Sequence, residues 1–301
     1  MKRLISILLA MGLFLLQPGS SPQAVWSYHQ NIQEVRMAQT EPSKEDQRAL
    51  ATEAFALAKS VRPEDHSLLL QKLKSEEFLK KLDSEKAYQG PSNRLRLRHL
   101  LETLSKNPTP SARNTLVALT QIPEFYKEPA RADLLIKACA EVRPATREVI
   151  KFWDNHSQPD DGFTPLTIEA IVKNGSEPAI TLLEKKMSDP KHDEEDKLDW
   201  MRSSILTHRN DFILLQGCER MLSGGLLDNL RIALIEVLFD YRPKEWFRPS
   251  TVLKAPDRRQ ATPEALTQLR KIGEFALKKM NLRDDLKKVV EKTLEEIKEK
   301  R

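Results

Sequence analysis

Apolar residues recur along most of the chain at intervals of three and four positions, the spacing of one face of an α-helix. In the stretch Asn174 to Pro190, a turn is followed by Pro178 and by apolar residues that include Ile180, Leu183 and Met187, and a second turn closes the stretch. Proline is favoured at the start of a helix because its missing N–H needs no partner there. The pattern therefore predicts short amphipathic helices separated by turns.

The same spacing predicts helices along the chain from about residue 45. Their expected ranges are roughly 45–60, 63–73, 75–82, 91–106, 110–121, 128–139, 144–154, 164–174, 177–187, 195–207, 210–222, 226–240, 263–280 and 283–299.

Three of the prolines that open these helices are evenly spaced. Pro110, Pro144 and Pro178 are separated by 34 and 34 residues, and the segments that they open place similar residues in register. The shared columns are Ala112, Thr146 and Ile180; Leu119, Trp153 and Met187; Leu104, Ala138, Val172 and Leu206; Leu100, Leu134 and Ile168; and Arg113 with Arg147. A unit of this length holds two helices that cannot bury their apolar faces alone, so the period predicts stacked helical hairpins with Leu119, Ile150 and Leu183 buried between them.

Two of these segments carry a family resemblance. PSARNTLVAL from Pro110 and NLRIALIEVL from Asn229 resemble the Pro/Arg-bearing helix of HEAT-type repeats, and NGSEPAITLLEKKMSDP resembles the other helix of such a pair. The resemblance covers about residues 91–241, and residues 44–90 more loosely. It implies an all-α, armadillo-type fold, a right-handed α-solenoid with a period of about 34 residues that serves as a scaffold. The period is nearer the tetratricopeptide length, but that family places a Leu-Gly pair in each copy and the chain has none.

Composition agrees with a helical protein and gives little support for nucleic-acid binding. Only nine glycines and 6% aromatic residues argue against an all-β fold, which needs tight turns. The 49 basic and 44 acidic side chains nearly balance, giving a formal charge of +5. Such a surface is typical of ordinary solvation rather than of polyanion binding, so we expect a protein partner and no nucleic acid.

The first 24 residues have the layout of a secretory signal peptide. Lys2 and Arg3 precede an uncharged apolar run from 4 to 16, and the small-residue segment PGSSPQA follows. The apolar run is shorter than the ~20 residues that span a bilayer. We therefore expect an exported protein, periplasmic or extracellular, with no integral membrane span after cleavage.

The organisation expected along the chain has six parts. They are a signal peptide at 1–24, a flexible segment at 25–43, N-terminal helices at 44–90, HEAT-like repeats at 91–241, an irregular basic and aromatic loop at 242–262, and C-terminal capping helices at 263–301.

The candidate partner-binding residues are arginines in register and aromatic or basic residues of the irregular loop. They are Arg113, Arg147, Trp246, Phe247, Arg248, Arg258 and Arg259. Exposed aromatic rings flanked by arginine are typical anchors of protein interfaces. The alternative for Trp246 is that its ring seals the last repeat.

Other residues suggest chemistry only weakly. The histidines and the two cysteines lack metal-ligand spacing, so no metal and no cofactor are expected. Cys139 and Cys218 lie within helical patterns and are interpreted as small buried hydrophobes rather than a disulfide. Asp154, His156 and Asp160 with Asp161 are compatible with an acid/base site or with an exposed loop.

The leading hypothesis is a non-catalytic scaffold that binds protein on its concave face. The alternative is an enzyme or enzyme subunit with chemistry at 153–162 or 241–262.

Overall fold

The computed structural model describes residues 44–82, 93–242 and 255–299, and over these ranges the chain is helical and has no strand. The all-α class predicted from the sequence is confirmed. In chain order the α-helices are α1 (Lys44–Lys59), α2 (Pro63–Leu73), α3 (Glu76–Leu82), α4 (Asn93–Lys106), α5 (Pro110–Leu119), α6 (Pro123–Tyr126), α7 (Pro129–Cys139), α8 (Arg147–Asn155), α9 (Thr164–Asn174), α10 (Glu177–Ser188), α11 (Glu194–Trp200), α12 (Leu206–His208), α13 (Phe212–Ser223), α14 (Asp228–Phe239), α15 (Pro263–Lys279) and α16 (Asp284–Glu299).

Local sequence sets several helix ends. Thr109, Asp211 and Thr262 each accept a hydrogen bond from the backbone N–H three residues later, at the start of α5, α13 and α15. A side-chain cap of this kind stabilises a helix by about 1 kcal/mol. At the other end of α9, Gly175 has a φ of 64°, a left-handed conformation that glycine adopts without steric cost.

The helices pack in a regular order of contacts. In one series, α1 contacts α4, α4 contacts α7, α7 contacts α9, and α9 contacts a π-helical segment, Met201–Ile205, that follows α11. That segment contacts α14, and α14 contacts α16. In the other series α2 contacts α5, and α8, α10, α13 and α15 contact one another in turn. Helices of the two series also contact each other within a pair, such as α1 with α2 and α4 with α5. Most helices of the described chain are thus packed against a partner and against neighbouring pairs.

The core lies between these helices and matches most of the predicted columns. Leu119, Trp153 and Leu183 are fully buried, as are most of the other column residues. Ile150, which was expected to be buried, is only partly buried. No helix in the described ranges combines the length and the apolar character needed to cross a membrane.

The sequence prediction was wrong about the start of α8. Pro144 was expected at the first helical position, but the helix begins at Arg147 and Thr146 caps it by accepting a hydrogen bond from the Val149 N–H. Pro144 follows Arg143 through a cis peptide bond and belongs to the turn. The even proline spacing therefore does not mark three equivalent helix starts.

Two further features were not anticipated. A short helix, α6, precedes α7, and between α11 and α12 the helix passes through a π-helical segment, Met201–Ile205. Apolar spacing alone predicts a turn at the position of α6 and an unbroken helix through the π-helical segment.

The two cysteines are free and buried, as expected. Burial raises the pKa of both thiols, so neither has the thiolate character that a reactive cysteine needs.

Asparagine side chains connect the turns of neighbouring helix pairs. The Asn174 amide nitrogen donates to the carbonyl oxygens of Ala140 and Val142, at 3.1 and 2.9 Å, and its Oδ1 accepts from Ser176. Asn107 repeats the arrangement two helix pairs earlier, donating to the carbonyl oxygens of Ala58 and Ser60 at 2.9 and 2.8 Å. These bonds satisfy carbonyls that a helix end leaves without a partner.

We expect Asn174→Ala to lower the free energy of unfolding by about 1–3 kcal/mol, because it leaves buried carbonyl and hydroxyl groups without partners. Urea denaturation followed by circular dichroism measures the change. The control is Asn155→Ala, an exposed asparagine at the end of α8, which should stay within about 0.5 kcal/mol of the parent. Equal effects of the two substitutions would contradict the role given to Asn174.

Candidate functional site

A groove of about 310 Å³ crosses the solvent-facing side of α4, α7 and α9, which follow one another in the first series of packed helices. Its floor is apolar and includes Leu101, Leu134 and Leu166. Leu101 is buried, while Leu134 and Leu166 are partly buried and therefore accessible from the groove. The floor offers apolar surface of the kind that protein partners cover.

The rim of the groove is charged but largely neutralised within the molecule. Arg98 pairs with Glu102 at 2.7 Å, Lys137 with Asp133 at 3.0 Å, and Lys173 with Glu141 at 2.9 Å. The hydrogen bond from Arg98 lowers the pKa of Glu102. Exposed pairs of this kind contribute little stability. Their effect here is a rim of mixed charge around an apolar floor.

A second depression, which we call the basic cleft, adjoins the groove at the turns. It has a volume of about 360 Å³, lies between the turn that leads into α5 and the turn that leads into α8, and shares Ser105, Lys106 and Glu141 with the groove. Its lining also includes Arg113 and Arg143.

The structure places both in-register arginines of the sequence prediction at or beside this cleft. Arg113 is partly buried, and its Nη2 donates to the Pro144 carbonyl oxygen at 2.6 Å. Arg147 is exposed at the first residue of α8, directly after the cleft-lining Thr146. Arg143, which was not among the predicted site residues, donates from Nη2 to the Lys173 carbonyl oxygen.

Of the predicted loop residues, the structure describes Arg258 and the backbone of Arg259. The described residues do not include Trp246, Phe247, Arg248 or the side chain of Arg259. Residues 1–43 also lie outside them. Arg258 makes internal contacts: it donates to Thr293 Oγ1 at 3.0 Å and to the Leu238 carbonyl oxygen at 3.3 Å. Burial, together with the charge of Arg209, lowers the pKa of Arg258 to about 10. A partner-contact role for these loop residues stays a prediction.

The acidic and histidine residues at the end of α8 and in the loop that follows it do not form one site. Asp154 contacts Lys186 at 2.7 Å and Lys185 at 2.9 Å. Burial alone would raise the pKa of Asp154, but the hydrogen bonds from the two lysines outweigh it, and the pKa is lowered. This carboxylate serves as the counter-ion of Lys186, which is only 2% exposed and also donates to the Ser157 carbonyl oxygen.

His156 has a different environment from Asp154. Its ring makes edge contacts with Tyr126, Phe152 and Phe163, and its Nδ1 lies 3.8 Å from an Asp161 carboxylate oxygen. Burial lowers the pKa of His156. Asp160 is exposed and has a φ of 63°. The side chains that suggested acid/base chemistry thus have separate structural partners.

Sequence reasoning missed one pairing of reactive residue types. His66 Nδ1 lies 2.6 Å from Ser111 Oγ, although the two residues are 45 positions apart. His66 is 1% exposed and joins the start of α2 to the start of α5. No local spacing in the sequence signals the pair, because the packing of α2 against α5 creates it.

Among the described residues, no group of three or more histidine, cysteine, aspartate or glutamate side chains is placed to hold a metal ion. Comparison with known proteins finds no matching family model, no matching curated protein and no matching solved structure.

We expect Asp154→Asn to lower the free energy of unfolding by about 1.5–3 kcal/mol near neutral pH, because it removes the charged partner of a buried lysine. The pKa of Asp154 is below its ordinary 3.8 in the folded state, so its contribution is present above pH 3.8 and is lost as the pH falls through the lowered pKa. The difference between parent and variant should therefore shrink in acid. Urea denaturation at neutral pH and below pH 3.8 measures it.

Glu169→Gln is the matched control, since Glu169 is an exposed carboxylate of the groove. Glu169→Gln should change the free energy of unfolding by no more than about 0.5 kcal/mol at either pH. If Asp154→Asn behaved like this control, the pairing with Lys186 would have no energetic importance.

Proposed function

We propose that this chain is an exported, non-catalytic scaffold whose stacked helical hairpins form a HEAT-like α-solenoid, and that the groove across α4, α7 and α9 binds a protein segment. The observation that carries the proposal is the groove itself, because three helices of one series line it with leucine and alanine residues surrounded by side chains of mixed charge.

The order of helix contacts supports the solenoid. In the described part of the chain, the most extensive contacts within each series join neighbouring members. An array of this kind buries a continuous core and leaves one face of each series available for binding. A concave face made by α4, α7 and α9 fits the position of the groove.

The geometry of the groove supports a protein ligand. Partly buried Leu134 and Leu166 provide apolar contact area, and the surrounding ion pairs provide polar groups at the edge. This is the arrangement of an apolar centre and polar rim common to protein interfaces. Binding would then depend on complementarity over an extended surface.

The enzyme alternative has less support from the loop at 153–162. Asp154 is engaged by Lys185 and Lys186, whereas His156 is surrounded by aromatic rings. Neither arrangement resembles a base hydrogen-bonded to a nucleophile or to an activated water. The contact between His66 and Ser111 has that form, but His66 is 1% exposed and joins α2 to α5 inside the fold. We therefore favour the scaffold.

Photo-crosslinking from within the groove tests the binding role. A photoreactive amino acid at Leu134 should crosslink to a discrete partner in native extracts, whereas the same residue at Leu68, 41% exposed on α2, should not. Leu166→Glu should abolish the Leu134 crosslink, because a carboxylate on the floor would be desolvated by an apolar partner.

Equal crosslinking from Leu68 and Leu134, or a Leu134 crosslink that survives Leu166→Glu, would count against the groove as the binding surface. Circular dichroism of the Leu166→Glu variant separates lost binding from lost folding.

Export is supported by the charge and hydropathy pattern of residues 1–24. We expect the mature protein to begin near residue 25 and to fractionate with soluble exported proteins. N-terminal sequencing of protein purified from its native source measures this directly. Recovery of a chain that begins at Met1, in the membrane pellet, would refute the export proposal.

A further inference from the structure

We propose that the basic cleft binds a carboxylate-rich part of the same protein segment whose apolar side chains occupy the groove. This inference rests on the proposed function and adds the chemical class of the partner: a segment that combines leucine-like and acidic residues.

The cleft has an excess of positive charge. Lys106, Arg113 and Arg143 line it, and Arg147 lies at its edge. Within the described part of the chain, none of these four side chains forms an ion pair with a carboxylate. The nearby Glu141 is paired with Lys173. Glu148 is hydrogen-bonded to Thr146 and is also attracted by the charge of Arg147, although the two side chains form no ion-pair contact in the described chain.

Arginines elsewhere in the described chain are typically paired with acids. Arg131, for example, contacts Glu76 and Glu128, and Arg220 contacts Glu184. The arginines of the cleft are instead attached to backbone carbonyls, which carry no net charge. Their positive charge is therefore available to a ligand.

The carbonyl contacts also orient the guanidinium groups. Arg113 uses Nη2 for the Pro144 carbonyl oxygen, and Arg143 uses Nη2 for the Lys173 carbonyl oxygen. A guanidinium has five N–H donors in a rigid plane, so others remain for a carboxylate. Holding the group in place beforehand reduces the side-chain entropy lost on binding.

The position of the cleft links it to the groove. Ser105, Lys106 and Glu141 belong to both, so one extended segment can cross from the apolar floor to the basic cleft without leaving the surface.

A polyanionic nucleic acid fits this surface less well than an acidic peptide. The adjoining groove offers a phosphate backbone no further positive charge, because Arg98 and Lys137 are paired with Glu102 and Asp133, and Glu169 is an exposed carboxylate. A peptide can place carboxylates only at the cleft and apolar side chains over the groove.

Fluorescence anisotropy with labelled synthetic peptides tests the inference on the full mature chain. The probe is a short peptide rich in glutamate and leucine, and its partner control replaces each glutamate with glutamine. We expect the acidic peptide to bind and the glutamine peptide to bind at least about tenfold more weakly. The affinity of the acidic peptide should fall as the salt concentration is raised.

The informative variant is Lys106→Glu combined with Arg147→Glu, since both side chains are exposed and neither holds another turn in place. This double substitution should weaken binding of the acidic peptide by about tenfold or more. The matched control is Lys278→Glu with Lys287→Glu, which makes the same change in net charge at exposed positions of α15 and α16 and should leave binding nearly unchanged.

Three results would overturn the inference: no binding of the acidic peptide, equal weakening by the two double variants, or tighter binding of inorganic phosphate or a single-stranded oligonucleotide than of the peptide. The Leu134 crosslink separates this failure from failure of the scaffold. A crosslink that persists in Lys106→Glu/Arg147→Glu rejects the acidic partner and leaves the groove as a binding surface, whereas no Leu134 crosslink in the parent chain rejects the groove.

Discussion

Hydrogen bonds from side chains of one helix pair to backbone carbonyls of the neighbouring turn set the register of this structure. Burial of apolar faces such as Leu119 and Leu183 provides most of the driving force, but apolar contact is non-directional and tolerates sliding. The Asn174 amide, with two carbonyl partners on the preceding turn, accepts only one alignment. A buried amide or carbonyl left unpaired costs more than a satisfied one contributes, so these bonds discriminate against shifted arrangements.

The same alignment creates the candidate binding surface. Stacked pairs bring the turn before α5 next to the turn before α8, and this places Arg113 beside the Pro144 carbonyl. The helices that bury one face in the core leave the opposite face of α4, α7 and α9 side by side, which forms the groove. The core and the candidate binding surface thus lie on different faces of the same helices, and substitutions on the solvent-facing side are expected to be tolerated by the fold.

Charged residues in the interior follow the same physical rule as the asparagines. Lys186 is almost completely buried, yet its ammonium group has Asp154 and backbone carbonyls as partners. Arg258 likewise is held by a carbonyl and a hydroxyl. Acidic residues that suggest chemistry in the sequence, such as Asp154, therefore serve as partners for buried charges. The basic cleft differs from Arg258 in exposure, because Lys106 and Arg143 lie at the surface.

The amino-acid sequence alone determined the all-α class, most helix positions, and the burial of Leu119, Leu183 and the two cysteines, because helix periodicity and burial pattern are local properties of the chain. It also indicated Arg113 and Arg147, but not the groove or the role of Arg143. Tertiary structure decided these, together with the turn position of Pro144 and the contact between His66 and Ser111. Such features join residues about 30 to 45 positions apart. Their geometry depends on how neighbouring pairs stack, which no local spacing encodes.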